Sequence, residues 1–215
     1  MPKPTRRVAP PTVQGGSLVV RERNGVLEIL AGSVVLLSSA ALETELAFGR
    51  LAAGRRRVLV GGLGFGATVR GVLEAAPDAA VTVSEKVPAV VDLLRGALAD
   101  RAGRPLDDPR VTVDPADVHD VMARAPGAWD AILLDVDNGP HWASFRTNAR
   151  LYAPAGLAVA HRALSAGGLF AVWSGYAADA FLPRLRAAGF SAANVPLRER
   201  GRVRARAYVG TLGPA

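Results

Sequence analysis

The stretch VLVGGLGFGATVRGVL, from Val58 to Leu73, decides the fold. Three β-prone apolar residues lead directly into Gly61-Gly62-Leu63-Gly64-Phe65-Gly66, and apolar residues then recur at helical spacing over residues 67–75. A strand that turns through glycines into a helix opens a βαβ unit, and in an open α/β sheet that turn stands at the mouth of the ligand crevice. Glycine suits it because so sharp a turn uses backbone angles that a Cβ atom resists, and because a ligand can then approach the main chain. Taken alone, the turn is equally a tight connection between strand and helix. No Gly-Lys-Ser/Thr closes it, so a Walker-type phosphate loop is not expected.

Downstream the same alternation continues. Strands are predicted at 80–84, 110–113, 131–134 and 169–173, with helices near 89–100, 118–123, 155–164 and 178–188. Such a pattern gives parallel strands joined by right-handed crossovers. The runs 193–198 and 204–211 are separated only by a turn at Gly201, which predicts a closing antiparallel hairpin at the sheet edge. Upstream, residues 18–37 form short β-prone runs with Asn24-Gly25 placed as a hairpin turn and Ala31-Gly32-Ser33 as a second, followed by a helical pattern over 40–53 that Gly54 stops. The expected fold is α/β: a Rossmann-like, seven-stranded, mostly parallel sheet with a small N-terminal antiparallel β unit. Residues 1–16, with four prolines and a Gly-Gly pair, are expected as a flexible tail, 17–54 as the β unit plus helix, and 55–215 as the Rossmann-like nucleoside-binding catalytic domain.

Composition sets outer bounds. With 215 residues, half of them hydrophobic, the chain can bury one substantial core. It has no cysteine, which excludes disulfides and thiolate chemistry. The most apolar stretch, 26–42, is interrupted by Glu28 and Gly32 and is too short to span a bilayer, and no signal peptide is visible, so a cytoplasmic protein without a membrane partner is expected. The formal charge of +7 raises nucleic acid as a partner. Almost all of the positive charge is arginine, since Lys3 and Lys86 are the only lysines. Arg198, Arg200, Arg202, Arg204 and Arg206 are spaced by two and would share one face of a continuous strand, where a solvated sheet edge explains them as simply as a polyanion does.

The candidate site residues follow the strands. Gly62, Gly64 and Gly66 let a cofactor approach the first turn. Glu85 ends the next strand, about twenty residues beyond the glycines, where a carboxylate accepts both ribose hydroxyl hydrogens in Rossmann-like folds. After the third strand, Ala116-Asp117 can reach the adenine amino group, and Asp117 is equally suited to cap a helix starting at Val118. Asp135 and Asp137 follow the apolar run Ile132-Leu133-Leu134, at the end of a central strand and facing the crevice. Acids in such a place are costly without a role; they also weigh against a nicotinamide cofactor. Asp137-Asn138-Gly139-Pro140 is good loop chemistry as well. His141 and Trp142 after these acids, and Trp173, Ser174 and Tyr176 after the following strand, border the same crevice, where aromatics can close over a cationic or planar substrate, or can simply be packed. His119 and His161 fall in predicted helices. No pair of histidines and acids has metal-ligand spacing, so no metal is expected.

The order of these blocks resembles the spermidine synthases and related polyamine aminopropyltransferases. The similarity runs through Val58–Leu73, Val83-Ser84-Glu85-Lys86-Val87-Pro88, Asp107-Asp108-Pro109-Arg110-Val111, Trp129-Asp130-Ala131-Ile132-Leu133-Leu134-Asp135 and the Gly167-Gly168 turn, covering most of residues 55–175. The resemblance implies a class I methyltransferase-type sheet, commonly a homodimer, with S-adenosylmethionine or its decarboxylated form as co-substrate and a small-molecule amine as acceptor. It places Glu85 at the ribose, Asp117 near adenine, and Asp135 as the acid that orients and deprotonates the attacking amine. Asp137, Asn138, His141, Trp142, Trp173 and Tyr176, which border the crevice by their position after the strands, are expected to bind the substrate. Two positions depart from it. Phe65 stands where the family has an aspartate, and Asn138 where a second acid would follow Asp135. The tyrosine-histidine pair expected before the glycine motif is replaced by Ala41-Leu42-Glu43-Thr44-Glu45. Amine transfer is therefore the first functional expectation. Methyl transfer to a small nucleophile is the second, and a non-catalytic nucleoside- or nucleic-acid-binding protein the third.

Overall fold

The computed structural model describes residues 6–8, 12–13, 16–136, 140 and 146–214. The chain opens with β1 (Arg6–Val8), β2 (Thr12–Val13), β3 (Gly16–Arg23), β4 (Val26–Ala31) and β5 (Val34–Ser38). These make an antiparallel sheet in the order β1-β3-β4-β5, with β2 paired to β3. Asn24 and Gly25 close the β3–β4 hairpin with φ of 52° and 80°, the left-handed pair that a two-residue turn requires. Helix α1 (Leu42–Gly49) follows, with single 3-10 turns before and after it.

The second sheet is built from β6 (Arg57–Gly61), α2 (Ala67–Ala75), β7 (Ala80–Ser84), α3 (Pro88–Arg95), α4 (Ala99–Ala102), β8 (Val111–Asp114), α5 (Val118–Ala123), β9 (Trp129–Leu134), α6 (Pro154–Ala163), β10 (Leu164–Ser174), α7 (Leu182–Ala187), β11 (Ser191–Glu199) and β12 (Arg202–Thr211). Its seven strands lie in the order β11-β12-β10-β9-β6-β7-β8. Strands β8, β7, β6, β9 and β10 are mutually parallel, and β12 runs antiparallel to both β10 and β11. The fold is thus the expected α/β class, with β6 an interior strand between β9 and β7. Successive residues of β6 point to opposite faces: Val58 and Val60 join a core with α1, α2, α3 and the small sheet, while Leu59 joins one with α5, α6 and α7. Burial on both faces explains why β6 and β9 read as unbroken apolar runs.

Three elements differ from the sequence reading. The helix expected over 89–100 ends at Arg95, because Gly96 adopts φ −110° and ψ −109°, and a separate turn of helix resumes at Ala99. Strand β10 begins at Leu164 rather than 169, with a register irregularity before Leu169 and Gly167 at φ 70°. The helix expected over 178–188 is the short α7, entered through a 3-10 turn at Asp179–Phe181. No helix among the described residues is long and apolar enough to cross a membrane.

Helices α1 and α2 meet through glycine. A Cβ on Gly49 would collide with the Thr68 carbonyl oxygen, and one on Gly71 with the Leu46 carbonyl oxygen. In an ordinary helix a glycine-to-alanine change adds roughly 0.5 to 1 kcal/mol of stability. Here the sign reverses: G71A, and likewise G49A, is expected to lower the unfolding free energy by about 1 to 3 kcal/mol, the typical cost of overpacking. Urea unfolding of each variant beside the wild type measures the difference.

Candidate functional site

The cleft is set by where three parallel strands stop. Gly61 at the end of β6 pairs with Ser84 of β7 on one side and Leu134 of β9 on the other. The ladder continues one residue past each strand: the Gly62 N–H donates to Ser84 O at 2.9 Å, the Asp135 N–H to Gly61 O at 2.8 Å and the Glu85 N–H to Asp114 O at 3.1 Å. Glu85 and Asp135 therefore project from the ends of the two strands on either side of β6, flanking the glycine turn. Gly62 takes φ 88°, and a Cβ there would strike the Asp135 carbonyl oxygen; Gly66, at φ 77°, starts α2. Both turns need glycine for space as well as for angle.

One cleft runs along these strand ends, with about 660 Å³ of empty space including its open mouth. Gly62, Gly64, Glu85, Ala116, Asp117 and Asp135 all line it, so six of the expected cofactor-contacting residues are brought together. Apolar walls come from Val87, Val90, Val118 and Val136, and from Leu36 and Leu37 of β5 in the small sheet. Those two leucines carry no sequence signal for a site, because only tertiary docking of the small sheet brings them to the strand ends.

Each acid is satisfied differently. Glu85 is buried; its two carboxylate oxygens accept from the Leu63 N–H at 3.0 Å and the Val87 N–H at 2.8 Å, tying the glycine turn to the start of α3. Burial pushes its carboxyl above the ordinary value, while those two amides and Lys86 pull it back. Asp117 caps α5 by accepting the His119 N–H at 3.0 Å, the capping expected from sequence. It also lies 3.1 Å from Arg150 and 4.0 Å from Lys86, and Lys86 in turn donates to the buried Asn148 at 2.9 Å. Ser84 Oγ donates to the Ala116 carbonyl oxygen at 2.7 Å, which fixes the loop before Asp117.

Asp135 is held by a 2.6 Å hydrogen bond from the Thr68 hydroxyl. Burial raises its carboxyl to about 6 despite that bond. Glu45 of α1, whose carbonyl oxygen lies 3.4 Å from the same Thr68 hydroxyl, is raised to about 9 by burial and by the charge of Asp135. Sequence reasoning missed Glu45, whose only local signal was an acid inside an otherwise apolar helical pattern. Asn148 was missed too.

The remaining expected residues divide into two groups. Asp137, Asn138, His141 and Trp142 lie outside the described residues. Trp173 is buried, and its indole N–H donates to Thr44 Oγ1 at 3.3 Å, so it packs behind α1 and does not line the cleft. Tyr176 is 59% exposed and also lies outside the lining. Among the described residues, no group of three His, Asp or Glu side chains lies close enough together to hold a metal ion.

The strand order, the glycine turn after the central strand and the acids at the ends of its two neighbours define the Rossmann-like sheet of the class I methyltransferase type. No protein-family model matches the chain. Its sequence resembles the polyamine aminopropyltransferases: that of Mycobacterium tuberculosis H37Rv is 33% identical over 134 residues, which make up 61% of this chain and 25% of that protein. The chain spans about a quarter of the length of the curated relatives it matches. Among solved structures, a spermidine synthase from Thermotoga maritima superposes with a TM-score of 0.74 over 98% of this chain and 74% of that one, at 15% identity. A spermidine synthase in complex with the transition state analogue AdoDATO gives 0.73 over 98% and 73%, at 14% identity. The chain has the spermidine synthase fold.

The Glu45 carboxyl makes a stability prediction. Below its ordinary value of 4.5, folded and unfolded chains are both protonated there. As pH rises the unfolded chain loses that proton first, so stability falls progressively until the folded carboxyl ionises near pH 9. Glu45→Gln cannot lose a proton. It is expected to melt higher than the wild type at pH 8, by a margin that shrinks toward pH 5, in thermal melts recorded across that range.

Proposed function

We propose that the chain is a transferase that binds a sulfonium nucleoside, decarboxylated S-adenosylmethionine, and transfers its aminopropyl group to a small-molecule amine. The observation that carries this reading is the convergence of Glu85 and Asp135 on one cleft from the ends of the two strands that flank β6, in a chain similar to the polyamine aminopropyltransferases. The turn at Gly62, Gly64 and Gly66 takes the donor against the main chain. Glu85 spends one lone pair of each oxygen on a backbone amide and keeps others for the two ribose hydroxyls. Asp117, with Ala116 beside it, receives the adenine amino group. The apolar cleft walls take the flat ring.

The reaction follows from this placement. The acceptor nitrogen attacks the methylene carbon next to sulfur, the C–N bond forms as the C–S bond breaks, and the bonding pair leaves on sulfur to give neutral methylthioadenosine. Asp135 takes the proton of the acceptor's ammonium before or as the C–N bond forms, which frees the nitrogen lone pair for the attack. An ordinary aspartate is a weak base at neutral pH, and burial that raises this carboxyl to about 6 brings it closer to the optimum for proton transfer. Alignment in the cleft supplies a larger share, about 7 to 11 kcal/mol in well-oriented systems. We assign Asp137, Asn138, His141 and Trp142, on the segment that follows Val136, to the acceptor, with Tyr176 at the exposed margin; Trp173 serves by holding α1. The cytoplasmic location rests on the sequence reading, and the homodimer on the family resemblance alone.

Methyl transfer from S-adenosylmethionine is the second reading, and Phe65 favours it. This side chain is buried in the glycine turn where the resemblance implies an acid for the donor's amine. Calorimetry with decarboxylated S-adenosylmethionine, S-adenosylmethionine and methylthioadenosine separates the two. Tighter binding of the decarboxylated donor supports amine transfer, tighter binding of the intact donor supports methyl transfer, and affinity for none of the three refutes both.

Two variants test the assigned roles. Glu85→Ala, in a preparation shown to be folded, is expected to weaken methylthioadenosine binding by about 1.5 to 3 kcal/mol, because it removes hydrogen bonds to a charged acceptor. Asp135→Asn keeps the size but is no useful base, and should slow single-turnover transfer by about 100-fold or more while methylthioadenosine still binds. Full activity in that variant would shift the base role to Asp137.

A further inference from the structure

Helices α1 and α2 are pressed together along a face that carries chemistry. On α1, Gly49 lies four residues after Glu45 and so shares its side of the helix; on α2, Gly71 lies three residues after Thr68 and shares its side. The same two glycines allow the main chains to touch, since a Cβ on either would strike the other helix's backbone. Close approach thus brings the Glu45 turn of α1 over Thr68. The Thr68 hydroxyl sits 2.6 Å from Asp135 Oδ2 and 3.4 Å from the Glu45 carbonyl oxygen. One residue earlier on α1, Thr44 receives the Trp173 indole N–H, which fixes the helix from the other side.

The consequence is that Glu45, through its carbonyl oxygen, and Asp135, through its carboxylate, meet at one hydroxyl, that of Thr68, and the charge of Asp135 reaches the Glu45 carboxyl. Among the described residues, no ion pair reaches either one. The charged groups on the surrounding elements are otherwise engaged or distant in effect. Glu43 of α1 takes the Arg200 N–H, Glu85 is bonded to two amides, Lys86 is bonded to Asn148, and neither Arg70 of α2 nor Arg198 and Glu199 of β11 is a source of the Glu45 shift. Asp137 and His141 lie outside the described residues. Like charges this close in a poorly solvated place cannot both ionise without a counter-charge.

We propose that Glu45 is a positioning residue of this site: brought to the Thr68–Asp135 contact by the glycine approach of α1 and α2, it keeps one proton on the carboxyl pair until a cationic donor arrives and releases it. This rests on the reading of the cleft as a sulfonium-nucleoside site. The balance is simple. The empty pair carries one negative charge and one proton at neutral pH; the donor brings a permanent sulfonium charge and an ammonium; binding stabilises the doubly ionised pair, and the proton goes to solvent. The neutral product, methylthioadenosine, offers no such counter-charge. On its departure the pair takes a proton back, so the site holds the donor more tightly than the product for a reason built into α1.

Proton release is read by calorimetry in two buffers of different ionisation enthalpy at pH 8, with decarboxylated S-adenosylmethionine and, separately, methylthioadenosine. Wild-type protein is expected to release about one proton on binding the cationic donor and none on binding the neutral nucleoside. Donor affinity should accordingly climb between pH 7 and 9, by up to tenfold per unit. Glu45→Gln should release none and show a flat donor affinity over that range, with methylthioadenosine binding unchanged. Donor binding without proton release in the wild type overturns the proposal whether or not the variant folds. Equal release by wild type and a folded Glu45→Gln overturns it as well. Failure of methylthioadenosine to bind the wild type is a different result: it sinks the nucleoside reading, and this inference with it.

Discussion

Gly61 is shared by two ladders, and the geometry of the cleft depends on that sharing. Because the residue pairs with Ser84 on one side and Leu134 on the other, the three strands end level, and the next residue of each chain is forced to turn away at the same height. Parallel pairing makes the constraint strict. A slip of one residue in β7 or β9 would exchange the sheet's two faces and carry Glu85 or Asp135 into a helix layer. The apolar residues on both faces, Val60 and Val83 toward one core and Leu59 and Ile132 toward the other, make such a slip expensive. Core packing thereby fixes the site to which it contributes no polar atom.

Within that frame the acids are partitioned by what surrounds them. Glu85 has two backbone donors and Asp117 has a backbone donor and an arginine, so both stay ready acceptors in a defined orientation. Among the described residues, Asp135 has a hydroxyl as its side-chain partner, and its charge is felt by another carboxyl. The first pair suits groups that are recognised and left unchanged, such as ribose hydroxyls and an exocyclic amine. The last suits a place where charge appears or disappears during a reaction, because its protonation is poised rather than fixed. A single cleft thus has a rigid end and a responsive end.

How much of this was legible in the sequence depended on whether the signal was local. The Asn24-Gly25 turn, the limits of α2 and β7, and Glu85 at its distance from the glycines are all written in short-range patterns: angles that only certain residues adopt, a change of period, a spacing set by one helix. Gly96 was visible too, yet its effect was not, because glycine tolerates helix and only its actual angles show that α3 stops there. Trp173 was expected at the cleft from its place after a strand. That reasoning fixed its height in the sheet but not its face, and its indole turns to Thr44. Glu45, Leu36 and Leu37 could not have been placed at all, since their relation to the strand ends is made by docking α1 and the small sheet against α2 and β6. The glycines that permit the docking look, in sequence, like weak points in two helices.

The positive net charge can now be set against an acidic cleft meant for a cation. The arginine group does not form one continuous face: Arg200 and Gly201 make the β11–β12 turn, so Arg198 lies on one strand and Arg202, Arg204 and Arg206 on the next. Strand β11 is three places from β9, which ends in Asp135, and β12 two. At about 4.8 Å per strand that is roughly 10 to 14 Å, while charges are screened over about 8 Å at physiological ionic strength. The arginines are exposed or half-exposed and so feel the full effect of that screening. Of the carboxyls of the cleft, Glu85 is buried and Asp117 and Asp135 are half-buried, and their field acts at short range through less polarisable surroundings than open water. A cationic ligand is therefore attracted or refused by the few ångströms around Asp135 and Glu45, whatever the sign of the whole. Net charge governs how the outer surface meets polyanions, and the two properties can vary independently in the same chain.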